Sequence, residues 1–159
     1  MTSTSSTISQ KRPLLIFVNG LLTGRYSVSR KVVLAFVEAV FSGFGWQIDT
    51  ERMFCDKGVT TYFDLFARKG PLIIACEIET TCRHALENLG KAQVIGIPLW
   101  IIVPTRRIRQ QIQRMLGDKT VFSGGRPVEV ILPDELKECI ETYIKTNTLK
   151  GTDHENQME

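Results

Sequence analysis

Residues 98–103 read Pro-Leu-Trp-Ile-Ile-Val, an apolar run without a single polar side chain. A segment this short and this uniformly apolar reads as a strand covered on both faces, and such strands sit beside parallel neighbours reached through helical crossovers. The preceding residues supply the crossover. Over 82–93, Ala85, Leu86, Leu89 and Ala92 recur at helical spacing, with Thr80 or Thr81 placed to cap the first amides. A strand fed by a helix calls for an α/β protein rather than an all-helical or all-β one.

The other segments fit that class. Val32, Val33, Phe36, Val37 and Val40 follow a Ser29 cap and stop before Gly43, which predicts a helix over 29–41. Three extended segments follow, 46–54, 60–67 and 72–79, separated by the turn signals Asp56-Lys57-Gly58 and Lys69-Gly70-Pro71. They predict an antiparallel meander. Beyond the apolar strand, 106–116 reads as a helix, 128–132 as a strand and 134–145 as a last helix. The predicted order is α-β-β-β-α-β-α-β-α, a mixed β-sheet core flanked by helices. An apolar run over 14–18, ending at Asn19-Gly20, is compatible with a further strand and turn or with a buried helical turn, which periodicity alone does not separate. Gly124-Gly125 lacks a following lysine and helix, and reads as a turn rather than a phosphate loop.

A chain of 159 residues with 43% hydrophobic composition suits one domain. The expected division is a flexible segment over 1–12, a single domain over 13–146 and a flexible tail over 147–159. No apolar run is long enough to span a bilayer, and the Ser/Thr-rich start lacks the apolar stretch of a signal peptide, so the expectation is a soluble, cytoplasmic protein without membrane partners. Cys55, Cys76, Cys82 and Cys139 form no Cys-x-x-Cys pair and have no histidine at ligand spacing, which argues against zinc and against a disulfide scaffold. With His84 and His154 as the only histidines, a histidine-based triad is also disfavoured.

In a strand over 72–79, Ile74, Cys76 and Ile78 face one way, while Ile73, Ala75, Glu77 and Glu79 face the other. A tight hairpin centred on Lys69-Gly70 pairs Asp64 with Ala75 and Tyr62 with Glu77, making Asp64 and Glu77 diagonal neighbours on one face. Glutamates at a strand end are ordinarily just solvated. Asp64 is different: it sits between Phe63 and Leu65, where an aspartate has poor strand propensity and is costly to bury alone. Three carboxylates within about 7–8 Å repel one another unless a cation or protons compensate. A hard divalent ion suits them, Mg²⁺ with Mn²⁺ as a substitute, because it takes one or two carboxylates and fills its other positions with water and phosphate oxygens.

Asp64, then an apolar strand ending in Glu77-Ile78-Glu79 and a helix, resembles the PD-(D/E)XK (restriction-endonuclease-like) phosphodiesterases over about residues 32–103. The resemblance implies metal binding by Asp64 and Glu77, and places Glu38 of the preceding helix as an auxiliary ligand. Two departures stand out: Phe63 replaces the proline before the aspartate, and Glu79 stands where the pattern has lysine. Some restriction enzymes of that fold carry glutamate there. The segment Glu77-Ile78-Glu79-Thr80-Thr81 with Asn88-Leu89-Gly90-Lys91 is also similar to nuclease-like domains of microbial and mobile-element proteins that combine E-x-E-T with N-x-x-K.

The expected chemistry is Mg²⁺-dependent endonucleolytic cleavage of DNA. Asp64 and Glu77 would hold the ion, Glu79 would orient or deprotonate the attacking water, and Lys91 or Arg83 would stabilise the charge developing on phosphorus. Arg83, Glu87 and Lys91 would form one helical stripe, whose plainer reading is a salt-bridged surface. For phosphate contacts, Arg106, Arg107, Arg109 and Arg114 share one helix, the first two against the local helix dipole, and Lys11, Arg12, Arg25, Arg30 and Lys31 could form a second basic surface. A solvated helix face explains the first group equally well. A homodimer would place two sites on the two strands of a duplex. The rival expectations are a nuclease-fold protein that binds nucleic acid without cutting it, and a subunit that recognises another protein, consistent with the net charge of only +3.

Overall fold

The computed structural model describes residues 29–56, 58–117 and 128–152. Its first helix, α1 (Arg30–Gly43), buries Val33, Phe36, Val37, Val40 and Phe41 along one stripe. Ser29 occupies the cap position, but its hydroxyl makes no capping bond; its carbonyl instead accepts from the amides of Val32 and Val33. The helix runs two residues further than its sequence pattern predicts. The turn into the sheet is made at Gly45, whose φ of +75° favours glycine.

Five strands, β1 (Gln47–Asp56), β2 (Val59–Lys69), β3 (Leu72–Ile78), β4 (Leu99–Ile102) and β5 (Val128–Ile131), form one sheet in sequential order. The β1–β2 and β2–β3 pairs are antiparallel, and β3–β4 and β4–β5 are parallel. Helices α2 (Ala85–Ile95) and α3 (Arg106–Leu116) make the two parallel crossovers, and α4 (Leu136–Thr152) ends the described chain. The order is the expected one, a mixed sheet flanked by helices.

Each face of the sheet carries its own core. Leu65, Ala67, Ile74, Cys76, Ile78, Trp100 and Ile102 pack under α1 and α4, whereas Phe63, Phe66, Ala75, Leu99, Ile101 and Val103 pack under α2 and α3. The apolar strand is therefore buried on both sides, as its composition requires. Among the described residues, no helix is long and apolar enough to cross a membrane.

Three expectations change in detail. Lys69 pairs with Leu72, so the hairpin turns on Gly70-Pro71 rather than Lys69-Gly70; Gly70, at φ +56°, supplies the positive dihedral that a two-residue hairpin with glycine first needs. Phe66, not Asp64, thus lies opposite Ala75. The shift is two residues, an even number, so Asp64, Phe66, Ala75 and Glu77 still share one face. Secondly, α2 starts at Ala85, three residues late, because the Thr81 hydroxyl accepts from the Arg83 amide and closes a turn ahead of the helix instead of capping it. Thirdly, α4 continues to Thr152 through residues expected to be a flexible tail. There the Asn147 amide and the Thr148 hydroxyl donate at 2.8 Å to the carbonyls of Tyr143 and Ile144, so polar side chains bond within the helix where no apolar stripe marks it. Segments 1–12, 14–18 and 153–159 and the Gly124-Gly125 turn lie outside the described residues.

Candidate active site

Strand β2 outlasts its pairing with β3, and the site forms where that ladder ends. The last paired residues are Leu65 and Cys76; one step further in the same register, Asp64 stands opposite Glu77. Here a side chain takes over from the backbone: the Ile78 amide donates to Asp64 Oδ2 at 2.7 Å, while the Glu79 amide donates to the Ile102 carbonyl on the other side. The buried aspartate within an apolar strand thereby has a structural partner. Phe63 and Phe66 both reach the α2/α3 core, so strict alternation breaks around Asp64. Across on β1, Glu51 sits between the paired residues Thr50 and Arg52 with φ +51°, a left-handed conformation that costs a non-glycine residue roughly 1–2 kcal/mol.

Helix α2 meets the end of β3 by a match of periods. Glu77 and Glu79 are two apart on a strand, spaced roughly 6.6 Å along it, and Asn88 and Lys91 are three apart on a helix, roughly 4.5 Å along its axis. Each carboxylate receives one donor: Lys91 Nζ reaches Glu77 Oε1 and Asn88 Nδ2 reaches Glu79 Oε1, both at 2.8 Å. Lys91 also donates to the Tyr62 carbonyl at 3.2 Å and lies 5.9 Å from the centre of the Phe63 ring. On the opposite side, the Arg30 guanidinium pairs with Asp64 Oδ1 and stands 3.9 Å from Glu77 Oε2.

Glu77 is only 3% exposed. Burial raises its carboxyl, the Lys91 hydrogen bond opposes that, and the adjacent Asp64 charge raises it again, leaving a pKa of about 7. These groups form the floor of a cleft of about 590 Å³, with Arg30 and Lys31 of α1 at one edge and Tyr62, Phe63 and Glu51 on the wall.

Asp64, Glu77 and Lys91 are brought together as the sequence predicts. The other candidates are placed differently. Glu79 is buried, bonded to Asn88 and absent from the cleft lining. Glu38 is half-buried on α1, eight residues or roughly 12 Å along the axis from Arg30, and does not line the cleft either. Arg83 precedes α2, so no stripe joins it to Lys91; Glu87 pairs instead with His84 at 3.2 Å. On α3, Thr105 caps the helix through Ile108, and Arg106, Arg107 and Arg114 are exposed. Arg109 is committed elsewhere, with its Nη1 2.6 Å from both carboxylate oxygens of Glu135. Sequence reasoning did not bring Arg30, Asn88 or Glu51 to the site. The N-x-x-K spacing opposite E-x-E was a signal for Asn88, whereas neither Arg30 nor Glu51 has a local pattern pointing to the cleft.

Asp64 and Glu77 offer an all-oxygen donor pair with, among the described residues, no sulfur or imidazole beside it on that face, since Cys76 points to the opposite core. Among the described residues, no group of three or more His, Cys, Asp or Glu is arranged around a common point. Two carboxylates with the remaining positions open to water and substrate is the donor set that fits Mg²⁺.

No protein-family model and no curated protein matches the chain. Among the solved structures similar to it are two proteins. A protein of unknown function, AF1548, is 11% identical with a TM-score of 0.44, over 63% of this chain and 57% of that one. VC1899 from Vibrio cholerae is 14% identical with a TM-score of 0.43, over 74% of this chain and 32% of that one. The chain thus spans little more than half the length of the first and about a third of the second.

Proposed function

We propose that the chain is a Mg²⁺-dependent phosphodiesterase of the PD-(D/E)XK kind that cleaves DNA, working in an intracellular setting where its cysteines remain reduced. The observation that carries this reading is the juxtaposition of Asp64, Glu77 and Lys91 on the floor of an open cleft edged by Arg30 and Lys31. A divalent cation held by Asp64 and Glu77 would supply Lewis acidity at phosphorus and acidify an attacking water.

The chain's own residues do the rest. Asp64, fixed by the Ile78 amide, presents a carboxylate whose direction does not depend on ligand. Lys91, anchored by Glu77 and the Tyr62 carbonyl, brings from α2 the positive charge that the family pattern places on the strand, where this chain has Glu79. It would stabilise charge developing on a phosphate oxygen. Glu79, tied to Asn88, holds α2 in register and so positions Lys91. Phe63 and Tyr62 line one wall, and the cations at the edge suit a phosphodiester backbone. Two copies acting together would serve the two strands of a duplex.

A second reading is a nucleic-acid-binding protein that does not cut. It is favoured by the charge balance, since Arg30 and Lys91 already partner Asp64 and Glu77. Supercoiled, linear, single-stranded and branched DNA incubated in Mg²⁺, Mn²⁺ or EDTA, beside Asp64→Ala and Lys91→Met variants, separates the two. Metal-dependent cleavage lost in both variants supports the enzyme. DNA binding that survives in all three proteins, without cleavage under any condition, supports the binder.

A further inference from the structure

The two cations that flank Glu77 are not equivalent. Lys91 is built in: its side chain is 18% exposed and satisfied by Glu77 and the Tyr62 carbonyl. Arg30 is a lid. Its side chain is 56% exposed, yet its guanidinium closes over carboxylates that are 11% and 4% exposed, and the ion pair raises its own pKa. Arg30 is also the first residue of α1, whose first turn holds no acidic residue, so the helix dipole opposes the charge and, among the described residues, the carboxylates keep it there. A long arginine that is mostly in solvent can leave without disturbing the core.

We propose that Arg30 competes with the divalent cation for Asp64 and Glu77 and, once displaced, binds a phosphate oxygen of the nucleic acid at the edge of the cleft beside Lys31; this rests on the phosphodiesterase reading above. A guanidinium and a divalent ion cannot both occupy the space between Asp64 Oδ1 and Glu77 Oε2, because like charges at that separation repel. The planar fork that serves a carboxylate serves a phosphate equally well. Cation and phosphodiester would then favour one another: the ion frees the arginine, and the phosphate keeps it away from the carboxylates.

The test uses the full chain as wild type, Arg30→Ala and Arg30→Gln, each shown to be folded by a cooperative melting curve in EDTA. Mn²⁺ alone is titrated calorimetrically, and binding of a short DNA oligonucleotide is measured by fluorescence anisotropy in Ca²⁺. Both variants are expected to bind Mn²⁺ about threefold or more tightly than wild type, the scale of an exposed ion pair, and to bind DNA more weakly in Ca²⁺. Opposite shifts in the two affinities are a signature that a merely structural residue would not give. Mn²⁺ affinity that is unchanged or weaker in the variants, or DNA affinity that does not fall, overturns the proposal. If none of the three proteins binds Mn²⁺, the metal reading of Asp64 and Glu77 fails and the role of Arg30 fails with it, an outcome distinct from equal and measurable binding.

Discussion

Glu77 concentrates the chemistry of this fold in one carboxyl group. With a folded pKa of about 7 against an ordinary 4.5, it retains a proton that the unfolded chain has already released. Between pH 4.5 and 7 the folded state therefore binds more protons, and stability falls as pH rises through that window, by on the order of 3 kcal/mol, before levelling. Glu77→Gln cannot titrate, so its stability should lose this slope. Urea unfolding of both proteins in EDTA at pH 5, 6, 7 and 8 measures it, and an equal slope in the variant would assign the effect to another group. The sequence disclosed Glu77 and Asp64 because strand parity survives an even error in register: the hairpin turns one position later than expected, and the two carboxylates become directly opposed rather than diagonal. Arg30 was harder to place, since an ion pair across 34 residues leaves no local periodicity.

Between elements, the closest functional coupling is that of α2 to β3. Asn88 and Glu79 are both buried, and their hydrogen bond is the means by which a helix that starts late is still held in register with the strand. Asn88→Ala would leave a buried carboxylate short of its donor, at a cost of about 1–3 kcal/mol. A melting curve measures the loss; a change within error would mean that Glu79 finds another partner. The same variant should impair cleavage beyond its effect on folding, because Lys91 is displaced with the helix. Helix α3 and strand β4 were legible from the sequence because each carries a strong single signal, an apolar side at Ile108, Ile112, Met115 and Leu116 and an uninterrupted apolar run; the Thr105 cap emerges only in the structure. The end of α4 was not, because Asn147 and Thr148 extend it by hydrogen bonds rather than by apolar spacing.

At the scale of the whole molecule, one sheet separates two cores, and the site lies where the sheet's antiparallel and parallel halves meet on β3. Cys76 reports on that arrangement. It is fully buried three residues from Glu79 on the opposite face, and burial pushes its thiol well above the usual range, whereas Cys55 is exposed on β1. A thiol reagent should therefore modify Cys55 quickly and Cys76 only as fast as the protein unfolds, which mass spectrometry of timed digests would read; rapid native labelling of Cys76 would contradict the packing. The element order could be derived because each piece carried its own pattern. The cleft could not, since it is assembled from α1, β1, β2, β3 and α2 only after both cores have closed. The proposed activity of this cleft is cleavage of DNA through Asp64, Glu77 and Lys91. Its most direct test is the nicking rate of supercoiled DNA in Mg²⁺ by the wild type and Glu77→Gln, an amide of equal size without the charge. The account predicts nicking that needs Mg²⁺ and falls by about 10²-fold or more in the variant. Equal rates in the two proteins, or no metal-dependent nicking by the wild type, would contradict it.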